Sequence, residues 1–442
     1  MPTLAEVRLW GRRIAAVSLE DDAQTAAFQY DEEFADSAIQ IAPLMLPLSR
    51  RIYTFPSLPH ISFHGLPGLL ADSLPDRFGN ALINAWLATQ GRTPESFNAV
   101  ERLCYTGARG MGALEFVPAI GNRMQHSTKL KIDALVSLAS EVLANRNHLR
   151  ESFATDQRQA ALAEILRVGT SAGGARAKAI IAWNPTTNEV RSGQVTAPAG
   201  FGYWLLKFDG VSNNKDKELA DPRGYTVIEY AYSQMATAAG IEMTQCRLLE
   251  EGGRRHFMTQ RFDRLADGSK LHVQSLAAMA HLDFNAPDVN SYEQAFDVIK
   301  RLSLPRTAIE QQFRRMIFNV VARNQDDHVK NIAFLMDKAG QWTLAPAFDM
   351  AYSYNPAGAW TAKHQMSING QRDGFTLEDF RACSAIAGLL RGHAETILDE
   401  VLSVVSNWRT YADDAGVAPA ARDDIYSNLR LDFARGKRRK GD

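Results

Sequence analysis

Only three cysteines occur in the 442 residues, Cys104, Cys246 and Cys383, widely separated and odd in number. That argues against a disulfide framework or a zinc site and fits a reducing compartment. An excess of either charge is also missing, since 49 Lys and Arg face 50 Asp and Glu for a net charge of −1. Nothing global therefore points to nucleic acid or an anionic membrane. No apolar run approaches the roughly 20 residues of a membrane span. The opening Met1-Pro2-Thr3-Leu4-Ala5-Glu6-Val7 lacks the charged-then-apolar pattern of a secretory leader. Internal repeats and low-complexity tracts are absent. These absences predict a cytoplasmic protein without membrane association. The basic run Arg435-Gly436-Lys437-Arg438-Arg439-Lys440 is a local exception that reads first as a solvated terminus.

The chain is otherwise ordinary globular material, 45% apolar and 22% charged, and long enough for two or three packed units. Residues 1–120 open with alternating segments, Glu6 to Trp10 and Arg13 to Val17, that predict a hairpin around Gly11-Arg12. From about 130 to 265 the texture is mixed, with a helix from Ile132 to Leu149 and strands over Ala179–Trp183 and Tyr203–Phe208. Beyond about 270 the chain reads as largely helical. Ile309, Phe313, Ile317, Val320 and Val321 recur at helical spacing and predict an amphipathic helix over 307–322. Two short strands, Ile332–Leu335 and Trp342–Leu344, should come next around Asp337-Lys338-Ala339-Gly340.

The segment that helix delivers is Asn324-Gln325-Asp326-Asp327-His328-Val329-Lys330-Asn331. An Asp with an Asn five residues later is the step between base and metal ligand in a kinase catalytic loop. Asp326 to Asn331 keeps that step, whereas Asp327 is one residue short. Phosphoryl transfer needs a carboxylate to receive the hydroxyl proton and hard oxygen donors for Mg²⁺. Asp326 fits the base, Asn331 a metal ligand and Asp349, in Phe348-Asp349-Met350, the main metal carboxylate. The predicted hairpin brings Asp349 back beside Asn331. The competing reading is a solvated polar turn, and Asp349 weighs against it.

Three weaker signals fit the same chemistry. Residues 169–178, Gly169-Thr170-Ser171-Ala172-Gly173-Gly174-Ala175-Arg176-Ala177-Lys178, are glycine-rich, which lets backbone N–H groups approach phosphates. Ala175 stands where a Walker A loop requires lysine. Lys207 lies inside an apolar strand pattern, where a lysine is costly unless paired, and Glu229 near a helix start is a candidate partner. Both could equally reach solvent. Gln260-Arg261-Phe262-Asp263-Arg264 is either a nucleotide-edge segment or a helix-start turn.

These elements together resemble the HipA-type protein kinases, toxins of bacterial HipA–HipB toxin–antitoxin modules. The resemblance spans most of the chain. It is carried by Leu74-Pro75-Asp76-Arg77-Phe78-Gly79, Gly110-Met111-Gly112-Ala113-Leu114, Gly173 to Lys178, Arg261 to Arg264, Asp326 to Asn331 and Leu344 to Asp349. It implies an α+β, kinase-like two-lobed fold. A β-rich N-terminal subdomain (1–120) would precede an N-lobe (121–265) and a mainly helical C-lobe (266–442). It implies ATP and Mg²⁺ held by Lys207, Asp326, Asn331 and Asp349, with Gly173 and Gly174 in the phosphate loop. His328 would sit at the catalytic loop, and Gln260, Phe262 and Asp263 along the nucleotide edge. Ser171 occupies the position of the family's autophosphorylated serine, where a phosphate would act as an off-switch. The implied partners are a HipB-like DNA-binding antitoxin and a protein substrate, with an aminoacyl-tRNA synthetase as the known kind. DNA would be met only through the antitoxin. Two departures stand out: Gln260 is neutral where relatives often carry an acid, and Phe348-Asp349-Met350 lacks the usual glycine. The residues leave two other readings open, a small-molecule phosphotransferase and a non-enzymatic antitoxin-binding or co-repressor module.

Overall fold

A computed structural model describes residues 3–120, 129–144, 165–166, 169, 176–211 and 224–433. The chain divides into two compact units. The first comprises residues 1–226, 244–281 and 334–342, and the second comprises 227–243, 282–333 and 343–442. The described residues contain no helix long and apolar enough to cross a membrane.

The first unit begins with the expected hairpin. Strands β1 (Thr3–Leu9) and β2 (Arg12–Leu19) pair antiparallel, with Leu9 opposite Arg12. The turn sits on Trp10 and Gly11, one residue before the predicted pair, and both have positive φ, 50° and 80°. Such a primed turn matches the twist of the flanking strands. Ala5, Val7 and Leu9 alternate inward from β1, and Ile14, Val17 and Leu19 are buried from β2. With β3 (Ala27–Tyr30), β4 (Ile52–Tyr53) and β5 (Leu114–Val117) they form a sheet ordered β4-β3-β2-β1-β5. The helix Ala99–Thr106, closed by an Asn98–Glu101 capping box, joins the same core through Val100 and Leu103.

A second sheet holds β6 (Lys178–Trp183), β7 (Val190–Ser192), β8 (Gly202–Lys207), β9 (Cys246–Glu251) and β10 (Arg254–Gln260), ordered β7-β6-β8-β10-β9. All six residues of β6 are buried. Its core includes Ile181 and Leu206 with Leu82 from helix Arg77–Thr89 and Val136 from helix Ile132–Ala144. The unit also takes in β11 (His272–Ser275), most of β12 (Ala333–Met336) and the start of β13 (Trp342–Leu344).

Among the described residues of this unit, His256 and His272 are buried and His281 is half-buried, each as a neutral ring. His256 Nδ1 accepts from the Asp209 amide at 2.9 Å, and His281 Nε2 accepts from the Gly68 amide at 3.0 Å. Burial pushes His256, His272 and His281 down to about 4. An unfolded histidine takes up its proton near pH 6.5, so below that the unfolded chain binds more protons than the folded one. Stability is thus fully present above about pH 6.5 and falls as pH drops toward 4. Urea unfolding at pH 7.5 and pH 5 should show that loss, and His256→Gln with His272→Gln should flatten it. An equal midpoint at both pH values would contradict it.

The second unit is mainly helical. Its described helices include Tyr292–Arg301, Arg306–Val321, Leu377–Ala387, His393–Val405, Trp408–Ala415 and Pro419–Asn428. Phe296, Phe313, Phe318, Phe380, Trp408 and Tyr232 are among its largest wholly buried side chains. In the helix Arg306–Val321 the buried stripe runs through Ala308, Phe313, Ile317, Val320 and Val321, and Ile309 is only half-buried. The Tyr232 hydroxyl donates to the Ala322 carbonyl at 2.7 Å, fixing the end of this helix. The segment Asn324 to Asn331 begins just beyond that end.

Candidate active site

The helix stops at Val321, and residues 324–328 run on without regular hydrogen bonding. Side chains therefore hold them. The Asp326 amide donates to Ser353 Oγ at 3.0 Å, and that hydroxyl donates to Asn324 Oδ1 at 3.1 Å. Asn331 Nδ2 donates to the Asp326 carbonyl at 2.9 Å, and the Asn331 amide to the His328 carbonyl at 2.8 Å. The five-residue step is thus closed into a loop by its own two ends. With its amide nitrogen engaged, Asn331 keeps its Oδ1 as a hard oxygen donor.

The two adjacent aspartates have opposite environments. The Asp326 side chain is 45% exposed, takes an N–H from Trp360 Nε1 at 2.9 Å and lies 3.9 Å from His328 Nε2. Crowding by protein raises its carboxyl; His328 and the Trp360 N–H pull it down, while the charges of Asp349 and Asp327 push it up. The net shift is upward. The Asp327 side chain is only 1% exposed and is fully engaged. It accepts from the Tyr292 hydroxyl at 2.7 Å, His364 Nδ1 at 2.8 Å and the Gln365 amide at 2.8 Å. Burial opposes ionisation there, but His364 and these donors outweigh it and hold the carboxyl below its usual value.

Asp349 adopts the left-handed conformation, with φ of 54°, which Asp and Asn tolerate far better than branched residues. Its charge is felt at Asp326, and its carbonyl lies 3.4 Å from Asn324 Nδ2. Asp326, His328, Asn331 and Asp349 therefore gather in the second unit. Phe284 flanks them, 6.4 Å from the His328 ring and 4.1 Å from the Lys330 ammonium. Glu229 belongs to the same unit and is 2% exposed on helix Tyr225–Ala238.

The first unit carries the other expected residues. Lys207 ends β8 at 8% exposure, its ammonium 5.9 Å from the Phe257 ring. Its cross-strand neighbour on β6 is Lys178, also buried, whose ammonium meets Asp76 Oδ2 at 3.2 Å. Two lysines directly opposite each other repel unless anions compensate. Lys178 escaped the sequence reading, although it gives the cue that singled out Lys207, a cation within an apolar strand. Gln260 is exposed at the end of β10, and Phe262 is half-buried. Asp263 is completely buried and accepts from Arg261 at 2.7 and 2.9 Å, Arg264 at 2.6 Å and the Gly112 amide at 2.7 Å. Burial opposes its charge, but Arg261 and Arg264 hold it well below the usual carboxylate range. Gly112 is required there: its φ is +76°, and a Cβ would meet the Val273 nitrogen at 2.9 Å. Ser171, Gly173 and Gly174 lie outside the described residues.

Trp360, Ser353, Tyr292 and His364 also escaped the sequence reading, because no spacing rule links them to the loop they hold.

Against known families, a HipA N-terminal domain matches residues 5–117 and a HipA-like C-terminal domain matches residues 170–408. The chain belongs to the HipA family. HipA from Shewanella oneidensis MR-1, solved with HipB and its operator DNA, aligns over 96% of this chain and 94% of its own. The TM-score is 0.65 at 15% identity, which establishes a shared α+β HipA fold. The Helicobacter pylori proinflammatory kinase CtkA aligns over 52% of this chain and 88% of its own, with TM-score 0.33 and 10% identity. A putative kinase, Y4mE of Sinorhizobium fredii, is 26% identical over 136 residues. That alignment spans 29% of this HipA-family chain and 32% of the relative.

Proposed function

We propose that this chain is an ATP- and Mg²⁺-dependent serine/threonine protein kinase, the toxin of a HipA–HipB-type module. The observation that carries the reading is the pairing of an accessible Asp326 with Asn331 and Asp349 in one unit, beside a buried structural Asp327. Asp349 and the Asn331 carbonyl supply the hard oxygens that suit Mg²⁺. Bound Mg²⁺–ATP supplies the phosphoryl group and neutralises charge developing on it.

Asp326 receives the proton of the acceptor hydroxyl. Its raised carboxyl suits that task, and the Trp360 N–H on Oδ1 leaves Oδ2 for the proton. Lys207 and Lys178 would provide cations for phosphate oxygens. Gln260 and Phe262 would help hold the nucleotide base, with Asp263 fixing their segment through Arg261, Arg264 and the Gly112 amide. The acceptor is a protein hydroxyl, an aminoacyl-tRNA synthetase being the kind the family resemblance implies. A HipB-like antitoxin restrains the toxin and makes its link to DNA.

Ser171 is the proposed site of self-modification, where a phosphate adds roughly −1.5 to −2 charge beside the nucleotide. Incubation with Mg²⁺–ATP should add one phosphate by intact mass, mapping to Ser171 and absent from Ser171→Ala. A phosphate persisting on Ser171→Ala would contradict that assignment.

A further inference from the structure

The polar groups around Asp327 continue outward through the second unit. His364 is wholly buried, and its Nε2 lies 2.9 Å from Arg430 Nη1. A guanidinium can only donate, so Nε2 accepts, and the ring proton must sit on Nδ1, facing Asp327 at 2.8 Å. Arg430 therefore selects the tautomer that lets His364 donate to Asp327. Asp373, 45% exposed, pairs with the other arm of Arg430 at the surface.

Arg430 also closes the helix that delivers the loop. Its amide donates to the Val321 carbonyl at 3.0 Å, and its Nη1 lies 3.4 Å from the Val320 carbonyl. These are terminal carbonyls with no partner inside the helix, at the end where a cation is favoured. Two residues earlier, the Asn428 carbonyl accepts from Arg323 Nε at 2.7 Å, and Arg323 Nη1 donates to Gln325 Oε1 at 3.1 Å. On the far side of Asp327, the Tyr292 hydroxyl accepts from Asn319 Nδ2 at 3.0 Å, and Asn319 Oδ1 accepts from Asn324 Nδ2 at 3.0 Å. The segment 428–430 thus grips both the helix end and the loop.

We infer that Arg430 and His364 are positioning residues for phosphoryl transfer: the exit of the last described helix clamps Asp327 and thereby aims Asp326. The inference rests on the kinase reading above. It explains why a buried carboxylate stands beside the base. Asp327 is the fixed end of a short lever, and Asp326, one residue away, is its working end. Misplacing a reacting group by about 1 Å can cost on the order of 100-fold in rate.

The test uses the full chain with Arg430→Leu, His364→Asn and His364→Gln, measuring phosphate incorporation over a range of Mg²⁺–ATP. Asn presents a donor near the position of Nδ1, and Gln presents its amide near Nε2. Arg430→Leu and His364→Gln should lose on the order of 100-fold in maximal rate, with half-saturating ATP within about threefold of wild type. His364→Asn should recover at least about tenfold over His364→Gln. Equal rates for Asn and Gln, or a loss that appears only as weaker ATP binding, would overturn the inference. Nitrogen-15 histidine NMR reads the same arrangement without turnover. His364, assigned by its absence in the variants, should be protonated on Nδ1 only at pH 7.5, and a proton on Nε2 would overturn the relay. An inactive wild type that shows the Nδ1–H form would defeat the kinase reading and leave the clamp standing as geometry alone.

Discussion

Asp326→Ala should lose phosphoryl transfer by about 10²–10⁴-fold, the range typical of general acid–base groups, while still folding and binding Mg²⁺–ATP. The fold should survive because the side chain is partly exposed and its one short contact is the Trp360 indole. The loop's backbone anchors, Ser353 on the Asp326 amide and Asn331 on its carbonyl, remain in the variant. Removing one of three neighbouring negative charges should, if anything, stabilise the site. Single-turnover transfer with a thermal melt alongside checks both halves. A variant within about threefold of the wild-type rate would remove Asp326 from the base role. Asp327 offers the opposite case. Its loss strands Tyr292 and His364 in the interior, so its phenotype should be instability before lost chemistry.

Asp349→Asn should lose transfer on the order of 100-fold and require much more Mg²⁺ for half-maximal rate. Asparagine is the informative replacement because it keeps the left-handed φ of 54° with little strain while removing the charge. Alanine would mix a backbone penalty into the result. Loss of the Asp349 charge also removes one of the effects raising the Asp326 carboxyl, so the base itself becomes weaker. A titration of rate against Mg²⁺ at saturating ATP measures the effect. An unchanged Mg²⁺ midpoint would place the cation elsewhere.

Local signals made much of the fold legible. Alternation revealed the first hairpin, although its turn sits on Trp10-Gly11, where two positive φ values select the primed geometry. Helical spacing revealed Arg306–Val321, with Ala308 taking the buried place expected of Ile309. The order β7-β6-β8-β10-β9 was not legible, since strand order depends on pairings between segments far apart in the chain. The site divides in the same way. The step from Asp326 to Asn331 is local and readable. The difference between Asp326 and Asp327 arises from Trp360, His364 and Gln365, 34 to 38 residues downstream, which no spacing rule connects to the loop. Lys178 shows a milder failure. The local cue, a cation at the edge of an apolar strand, was there, but its partner Asp76 comes from another part of the chain, so the pairing itself was not legible.

In the proposed reading, the loop at 326–331 and Asp349 serve a nucleotide and its metal. Calorimetric titration of the purified chain with ATP, with and without Mg²⁺, tests that claim most directly. Wild type should bind at a single site that tightens with Mg²⁺, and Asp349→Asn should lose that Mg²⁺ dependence. No ATP binding under either condition would contradict it.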